Sequence, residues 1–246
     1  MSSDSLLAFD WQLPRGVRAA FSTRAGGVSA PPWDSFNLAA HVGDRPAAVA
    51  ANRARLTSLL ALPSEPAWLE QVHGTAVADL DASTITPRTA DASMTRAAGG
   101  VCVVMVADCL PVLIATRDGQ RVAAAHAGWR GMAAGVLERT VEALGIEGAG
   151  LTAWLGPAIS SPHFEVGDEV RTAFLESDGQ AGDCFVKNSR GRWQADLVGL
   201  ARRRLAALGV IHVSGGTWCT YADRARFFSY RRDAGGGRMA ALIWKE

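Results

Sequence analysis

The sequence predicts an α+β fold in which a mixed β-sheet is flanked by helices. Its β-rich runs follow one another in hairpins as well as alternating with helical segments, which favours a mixed sheet over an all-parallel one. With 246 residues and 48% hydrophobic content, the chain can bury a sizeable core. No internal repeat, low-complexity segment or Pro/Ser-rich linker divides it. We therefore expect residues 1–246 to form a single domain.

Short apolar runs bounded by turn residues predict the strands. The first leads into the paired glycines Gly26 and Gly27, and two others flank His73 and Gly74 on a turn. Asp118-Gly119 joins two central runs and is a strong hairpin signal. The predicted strands cover residues 17–21, 66–72, 75–80, 101–106, 112–116, 121–125, 151–155, 211–213 and 239–244.

Helices are predicted where apolar residues recur at helical spacing between a capping residue and a stop signal. Asp44 and Asp196 are the expected N-caps of two of them, because aspartate side chains accept hydrogen bonds from the first backbone N–H groups. Gly145 and Gly209 are the expected C-terminal stops. The predicted helices cover residues 45–60, 131–144, 168–175 and 196–208.

The charge balance argues against large charged partners. With 25 Lys+Arg against 24 Asp+Glu, no overall field draws the chain to nucleic acid or to an anionic membrane. The first ten residues lack the basic start and apolar stretch of a secretory signal, and no apolar run approaches the roughly 20 residues that span a bilayer. Four cysteines are too few for a disulfide scaffold. We expect a cytoplasmic protein that acts on small molecules, with its oligomeric state left open.

Three residues at predicted turns or strand ends carry the candidate chemistry: His73, Cys109 and His126. Two imidazole nitrogens and one thiolate would leave the fourth position of a Zn²⁺ ion open, which is typical of a catalytic zinc site. No two of the three lie within four positions, so the spacing also fits a buried cysteine and two ordinary histidines. A metal-free alternative uses His126 as the general base for a Cys109 nucleophile.

Eight motifs occur in order along nearly the whole chain. They are FSTRAGG (21–27), NLAAHVGD (37–44), QVHG (71–74), TADA (89–92), ADCLP (107–111), HAGWRG (126–131), GPAI (156–159) and FSYRR (228–232). This set resembles the YfiH-like proteins, also called the laccase-domain or polyphenol-oxidase family. The resemblance implies a mixed fold of the cysteine-hydrolase type, related to that of cysteine-hydrolase toxins.

The same resemblance implies a function. It makes His73, Cys109 and His126 the zinc ligands, since each occupies the histidine or cysteine of its motif. It implies phosphorolysis of purine nucleosides, namely adenosine, inosine, guanosine and 5′-methylthioadenosine, together with hydrolytic deamination of adenosine. The expected partners are therefore a small nucleoside and phosphate.

Further site residues follow from the chemistry that these reactions need. Arg24, beside the glycine pair, and Arg130, at a helix start, are candidates for binding phosphate, although either could form a surface salt bridge. Asn37 and Gln71 could hydrogen-bond ribose or base, or could tie loops together. Asp108 is the candidate for moving a proton during zinc-assisted deamination, with a backbone acceptor as the alternative.

Composition limits the oxidase interpretation. The chain has five histidines, fewer than the roughly ten that a multicopper site requires, so a full laccase site is excluded. A single copper could occupy the three-residue site adventitiously. Two other functions stay open. One is a Cys109/His126 hydrolase or amidase acting on peptidoglycan precursors, as the peptidoglycan-editing name of some relatives suggests, and the other is a non-catalytic protein that binds nucleosides.

Overall fold

The structure, a computed structural model, describes residues 3–8, 10–82 and 89–246. The strands in this part of the chain are β1 (Val17–Phe21), β2 (Val77–Asp79), β3 (Ala92–Thr95), β4 (Val101–Val106), β5 (Leu110–Thr116), β6 (Val122–Ala127), β7 (Leu151–Leu155), β8 (Glu165–Val166), β9 (Phe185–Lys187), β10 (Trp193–Ala195), β11 (His212–Gly215) and β12 (Met239–Lys245). The α-helices are α1 (Pro46–Leu60), α2 (Trp129–Ala134), α3 (Val136–Leu144), α4 (Asp168–Leu175), α5 (Leu197–Ala207) and α6 (Tyr230–Asp233).

The largest sheet has six strands in the order β11-β7-β5-β6-β3-β2. It is mixed, as predicted: β11 pairs with β7 and β2 with β3 in parallel, whereas the central pairs are antiparallel. Strands β5 and β6 form the hairpin that Asp118-Gly119 predicts, with Gly119 at a φ of +72°. Their register pairs Pro111 with His126. Because Cys109 immediately precedes β5, this hairpin brings it beside His126.

Two smaller antiparallel sheets accompany the large one, where the sequence predicted a single sheet. One has the order β1-β12-β4 and the other β8-β10-β9. The chain passes from β4 in the first small sheet directly to β5 in the large sheet. Apolar periodicity identifies residues that form strands, but it does not say which strands pair, because pairing depends on contacts distant in sequence.

The large sheet is buried on both faces. Successive residues of β5 point to opposite sides. Leu110, Val112 and Ile114 lie in a core shared with α3 and α5, whereas Leu113 and Ala115 lie in a second core shared with β4 and β12. Burial on both faces explains why this strand is a continuous apolar run instead of an alternating one. The central hairpin is thus held between a helical layer and the first small sheet.

The helices follow the predictions with three differences, one of which is the short α6, which was not predicted. Asp196 caps α5 as expected, accepting the backbone N–H of Gly199. Asp44 does not cap α1, whose N-cap is Arg45, because its carboxylate accepts hydrogen bonds from side chains of the preceding loop. The helix predicted over 131–144 is divided at Gly135, whose φ of +102° is readily adopted by glycine. Among the described residues, no helix is long and apolar enough to cross a membrane.

One strand prediction was wrong, and four observed strands, β3, β8, β9 and β10, were not predicted. Residues 66–72 form only two isolated bridges, from Ala67 to Cys102 and from Glu70 to Thr89. Because these two partners belong to different segments of the chain, the bridges do not join into one continuous strand pairing. Strand β3 was not predicted, since its sequence lacks the β-branched run that identifies strands. All four of its residues are buried, and it pairs with β6 and β2. Tertiary pairing therefore creates this strand.

Leu113 tests the burial of the second face of the large sheet. The side chain has no exposed surface, so Leu113→Ala should leave a cavity and lower the free energy of unfolding by about 2–5 kcal/mol. The control is Ile211→Ala, at a side chain that is 71% exposed, which should change it by less than about 0.5 kcal/mol. Urea unfolding followed by circular dichroism measures both. Equal effects of the two substitutions would contradict the described burial.

Candidate functional site

His73, Cys109 and His126 lie together in the folded chain although they are far apart in sequence. One ligand atom from each lies within 4.8 Å of the other two. The Sγ atom of Cys109 is 3.8 Å from Nε2 of His73. The two imidazole rings have centroids 4.8 Å apart and planes inclined at 69°. In the described part of the chain, this is the one group of three or more His, Cys, Asp or Glu side chains arranged to hold a metal ion.

Each of the three side chains is presented by a different local structure. His126 belongs to β6 and is 4% exposed, whereas His73 is exposed on a turn with a φ of +60°. Cys109 lies in the tight connection between β4 and β5, directly after Asp108, whose φ is +91°. Positive φ in a residue with a side chain costs about 1–3 kcal/mol, so surrounding contacts must hold both turns in place.

The buried carboxylate of Asp91 supplies those contacts at the histidines. Its Oδ1 lies 2.8 Å from Nδ1 of His126 and accepts the backbone N–H of His73 at 2.9 Å. Its Oδ2 accepts the N–H groups of the two residues flanking His73, at 3.1 and 2.6 Å. Engagement of Nδ1 leaves Nε2 of His126 as the nitrogen for a metal or for Cys109. Asp91 stands in the TADA motif, but no residue-type signal assigned it this role.

Charges within the group favour a thiolate. Burial opposes ionisation of Cys109, but the charge and hydrogen bonding of His126, followed by His73, lower the thiol pKa to about 6. Burial also opposes a charged His126, but the negative charge of Cys109 and the hydrogen bond to Asp91 raise its pKa to about 9. The thiolate is the form of cysteine that binds metal or attacks a substrate. The same arrangement therefore supports metal binding and nucleophilic chemistry.

Gly128 leaves the space that the group needs. A Cβ atom at this position would lie 2.9 Å from both Cys109 Sγ and His73 Cδ2, too close for any side chain to fit without displacing them. Gly131, on α2, is similarly restricted, since its Cβ would lie 2.8 Å from the carbonyl oxygen of Gly74. The two glycines of the HAGWRG motif thus allow α2 to approach the turn that carries His73.

The group opens into a cavity of about 410 Å³. This volume lies within the range of about 300–1,000 Å³ that is usual for small-molecule sites. Trp129, Phe164 and Tyr230 contribute aromatic surface to its wall. Such rings provide flat apolar area against which a heterocyclic base can pack.

Two of the four predicted substrate-binding residues line this cavity. Gln71 is tied to Met105, because its amide donates to the carbonyl of that residue at 2.9 Å and accepts its N–H at 2.8 Å. The guanidinium of Arg130 lies over the ring of Trp129, 4.5 Å from its centroid. Gln71 therefore anchors the cavity wall to β4, and Arg130 is the one of the pair with charge available to a ligand.

The other two predicted substrate-binding residues lie outside the cavity. Arg24 donates to the carbonyl of Asp34 from Nε and Nη2 and packs over Phe228, 4.8 Å from the ring centroid. Asn37 is fully buried and bonded at both ends of its amide, to Ala39 and to other backbone and side-chain partners. These contacts agree with the structural alternative that the sequence left open for each residue, and substrate binding by either one stays a prediction.

Asp108 lines the cavity, but its carboxylate is occupied. It accepts hydrogen bonds from Thr220 Oγ1 at 2.6 Å, Ser229 Oγ at 3.0 Å and the backbone N–H of Arg231 at 2.7 Å. The side chain therefore ties the turn that carries Cys109 to the C-terminal part of the chain. This arrangement agrees with the backbone-acceptor alternative for Asp108, and proton transfer by this residue stays a prediction.

Comparison with known proteins identifies the family. A sequence model of the family described as "multi-copper polyphenol oxidoreductase laccase" matches residues 18–246. The chain belongs to this family. The resemblance inferred from the eight motifs is thereby confirmed. Although this family's description names several coppers, the described residues of this member provide the single His-Cys-His group.

Relatives of this laccase-domain chain have more specific names. It is 53% identical over 236 residues to a purine nucleoside phosphorylase of Pseudomonas aeruginosa, with 96% of each chain covered. It is 52% identical over 239 residues to the purine nucleoside phosphorylase YfiH of Escherichia coli, covering 97% of this chain and 98% of that protein.

Solved structures confirm the mixed α+β fold. A Neisseria meningitidis protein superposes with a TM-score of 0.94 at 45% identity, covering 98% of this chain and 99% of that one. YlmD from Geobacillus stearothermophilus gives a TM-score of 0.92 at 30% identity, covering 100% of this chain and 98% of that one. Both likenesses extend over the elements that carry the His-Cys-His group.

Gly128→Ala tests the close approach at this group. The added methyl group would collide with Cys109 and His73, so we expect zinc binding at one ion per chain to be lost while the protein stays folded. The control is Gly179→Ala, because a Cβ there meets no atom within 4 Å. Metal analysis after dialysis measures bound zinc. Full zinc content in Gly128→Ala would show that the group does not bind the ion as a unit.

Asp91→Asn tests the buried carboxylate. The substitution removes the negative charge that orients His126, and loss of such a partner lowers metal affinity by about 10- to 100-fold. Competition with a chromogenic chelator measures zinc affinity. Glu142→Gln, at a side chain that is 69% exposed, removes a carboxylate elsewhere and should leave affinity unchanged. An unchanged affinity in Asp91→Asn would exclude this role.

Proposed function

We propose that this protein is a zinc-dependent purine nucleoside phosphorylase. The observation that carries the proposal is the convergence of His73, Cys109 and His126 at a cavity of about 410 Å³. Relatives of more than half identity that are named purine nucleoside phosphorylases support the choice of substrate class. We propose adenosine, inosine, guanosine and 5′-methylthioadenosine as substrates.

The donor set fits zinc. Two imidazole nitrogens and a thiolate are ligands that Zn²⁺ prefers, and three protein ligands leave a fourth position for water or substrate. Bound zinc would supply an electrophilic centre and would lower the pKa of a water in the open position. Asp91 holds His126 with Nε2 towards the group, and Gly128 keeps the space beside Cys109 free. Imidazole and thiolate also bind copper, which is therefore an adventitious competitor in metal analysis.

The cavity provides surfaces suited to the two parts of a nucleoside. Trp129, Phe164 and Tyr230 offer aromatic area for the purine. In phosphorolysis, an oxygen of hydrogen phosphate forms a bond to ribose C1′ while the C1′–N9 bond breaks. The electron pair leaves with the purine, which takes the proton from hydrogen phosphate, so that the products are ribose 1-phosphate and the free base. Guanidinium groups in the wall would stabilise the phosphate.

The same site supports hydrolytic deamination of adenosine as a second reaction. A water oxygen forms a bond to C6 of the purine, and the amino group leaves as ammonia. The open ligand position supports this reaction because a metal-activated water can act as a nucleophile near neutral pH. Asp108 is the residue proposed to move the proton, and its carboxylate would have to exchange one of its three hydrogen bonds to do so.

Product analysis tests the proposed function. Metal-analysed protein is incubated with adenosine, with and without phosphate, and the products are separated by mass-resolved chromatography. We expect adenine and ribose 1-phosphate only with phosphate, and inosine in its absence. Cys109→Ala should lose bound zinc and all turnover. Cys184→Ala, which changes a half-buried thiol outside the cavity, should retain both.

Two results would contradict the proposal. Unchanged adenosine in the presence of zinc-loaded protein would exclude nucleoside turnover. Stoichiometric binding of adenosine without product would then favour a non-catalytic nucleoside-binding protein. Normal turnover by metal-free Cys109→Ala would exclude the zinc mechanism.

A second candidate function rests on a specific arrangement. Asp91, His126 and Cys109 form a carboxylate–imidazole–thiol series of the kind that activates a nucleophilic cysteine. A hydrolase or amidase that acts on peptidoglycan precursors could use this series without metal, and a cysteine-hydrolase-type fold would agree with it. Such activity would survive chelation and would be lost on alkylation of Cys109. Loss of activity on chelation, with recovery on adding zinc, would exclude this alternative.

A further inference from the structure

Arg238 is, like Arg130, a positively charged residue of the cavity. The same cavity contains the ligand group, which consists of His73, Cys109 and His126. Arg238 follows the glycines 235–237, immediately precedes β12 and lines the cavity. Its Nη1 donates to the carbonyl oxygens of Gly236 and Gly237, at 3.0 Å each. Its backbone N–H donates to Oδ1 of Asn37 at 3.0 Å. These three hydrogen bonds hold both the backbone and one edge of the guanidinium.

The other edge of this guanidinium is unoccupied by protein. Among the residues described, no carboxylate forms an ion pair with Arg238, and its Nε and Nη2 have no hydrogen-bond partner. The two nearest negative groups are already engaged: Asp108 by three donors, and Cys109 by the two histidines. The guanidinium of Arg238 lies over the ring of Tyr230, 5.7 Å from its centroid, but no carboxylate of the described chain hydrogen-bonds to it. A half-buried cation of this kind is favourable for a ligand of opposite charge.

Other residues make the same region positive. Arg130 and Arg231 also line the cavity, and among the described lining residues Asp108 is the single carboxylate. Partial burial, followed by the positive charges of Arg238 and Arg53, lowers the pKa of His41 at the rim. The cavity therefore combines aromatic wall area with an excess of positive charge, which suits a ligand that carries both a heterocycle and an anion.

We propose that Arg238 binds the phosphoryl anion used by this site, with inorganic phosphate as the co-substrate. The inference rests on the proposed function and names the residue that positions its second substrate. The Nε and Nη2 edge of a guanidinium matches two oxygens of a phosphoryl group, because its N–H bonds point in parallel. Arg238 would bring phosphate to the same cavity in which the aromatic wall offers surface to the nucleoside.

Features of the loop support this assignment. Gly236 has a φ of +84°, and a Cβ on Gly237 would lie 2.7 Å from the ring of Phe228 and 2.9 Å from Cβ of Asn37. These two glycines therefore let the loop before Arg238 pack closely against Phe228 and Asn37. Asn37, for which the sequence left substrate binding and loop tying open, accepts the backbone N–H of Arg238.

Arg238→Met in the zinc-loaded full-length protein tests the proposal, because methionine retains much of the side-chain length without the charge. Loss of two charge-assisted hydrogen bonds should weaken the binding of inorganic phosphate by about 10- to 100-fold. Titration calorimetry measures this change as a higher Kd, and steady-state kinetics measures it as a higher KM for phosphate. The KM for adenosine should change less than the KM for phosphate, since Trp129 and Phe164, which also offer surface to the purine, are left in place. Arg238→Lys should recover part of the phosphate affinity.

The control variant is Arg139→Met, at a side chain that is 63% exposed and lies outside the cavity. It removes one positive charge, as Arg238→Met does, and should leave the Kd and KM for phosphate unchanged. Zinc content and thermal unfolding of each variant show that the site and fold remain. Unchanged phosphate Kd and KM in Arg238→Met would overturn the proposal. If adenosine is turned over normally in that case, the proposed function stands while the assignment of Arg238 fails.

A second arm of the titration identifies the source of the phosphoryl group. Adenosine and adenosine 5′-monophosphate are titrated in place of phosphate. One possible result is that wild type binds the monophosphate more tightly than adenosine, that Arg238→Met loses this difference, and that wild type does not bind free phosphate. Arg238 would then be the anion site, but the phosphoryl group would belong to the substrate. This result would overturn inorganic phosphate as the co-substrate and would contradict phosphorolysis. Equal binding of all three ligands to wild type and Arg238→Met would exclude an anion site at Arg238.

Discussion

The buried carboxylate of Asp91 is the interaction on which the geometry of the site depends. It contacts Nδ1 of His126 and three consecutive backbone N–H groups around His73, so one side chain fixes a ring on the sheet and a turn outside it. Burial of this carboxylate opposes its ionisation, but the hydrogen bonds from His126 and the backbone N–H groups lower its pKa overall. The negative charge retained inside the protein in turn stabilises a positive His126 beside the Cys109 thiolate.

The fold provides the rigidity that this arrangement needs. The β5–β6 hairpin has apolar cores on both faces, so the ends of its strands are held where Cys109 and His126 must meet. Asp108 binds the same turn to the C-terminal segment, through Ser229 and Thr220. Gly128 then allows α2 to start beside the ligand atoms without filling their space. The β5–β6 hairpin, the turn before β5 and the start of α2 thus together position the polar atoms of His73, Cys109 and His126.

The cavity combines two kinds of chemistry. Its wall contains the nitrogen and sulfur atoms of His73, Cys109 and His126, the guanidinium of Arg238, and aromatic rings that provide area for a base. Electrostatic preorganisation of this kind is effective because the donors are held before a substrate arrives. The family description names several coppers, but the single three-ligand group in the described chain is suited to one ion.

Local signals in the sequence determined many elements and singled out His73, Cys109 and His126 as candidates, and the resemblance to a family implied that they bind metal. The strands Val17–Phe21 and Leu151–Leu155 and the helix Asp168–Leu175 were predicted with their observed bounds, because apolar runs and glycine or proline stops are local. Only the tertiary structure decided which strands pair, and that Asp91 and Arg238 belong to the site. Their roles depend on partners far away in sequence. No local pattern distinguishes an aspartate that is buried beside a histidine from an aspartate on the surface. The same is true of an arginine that lines a cavity without a carboxylate partner.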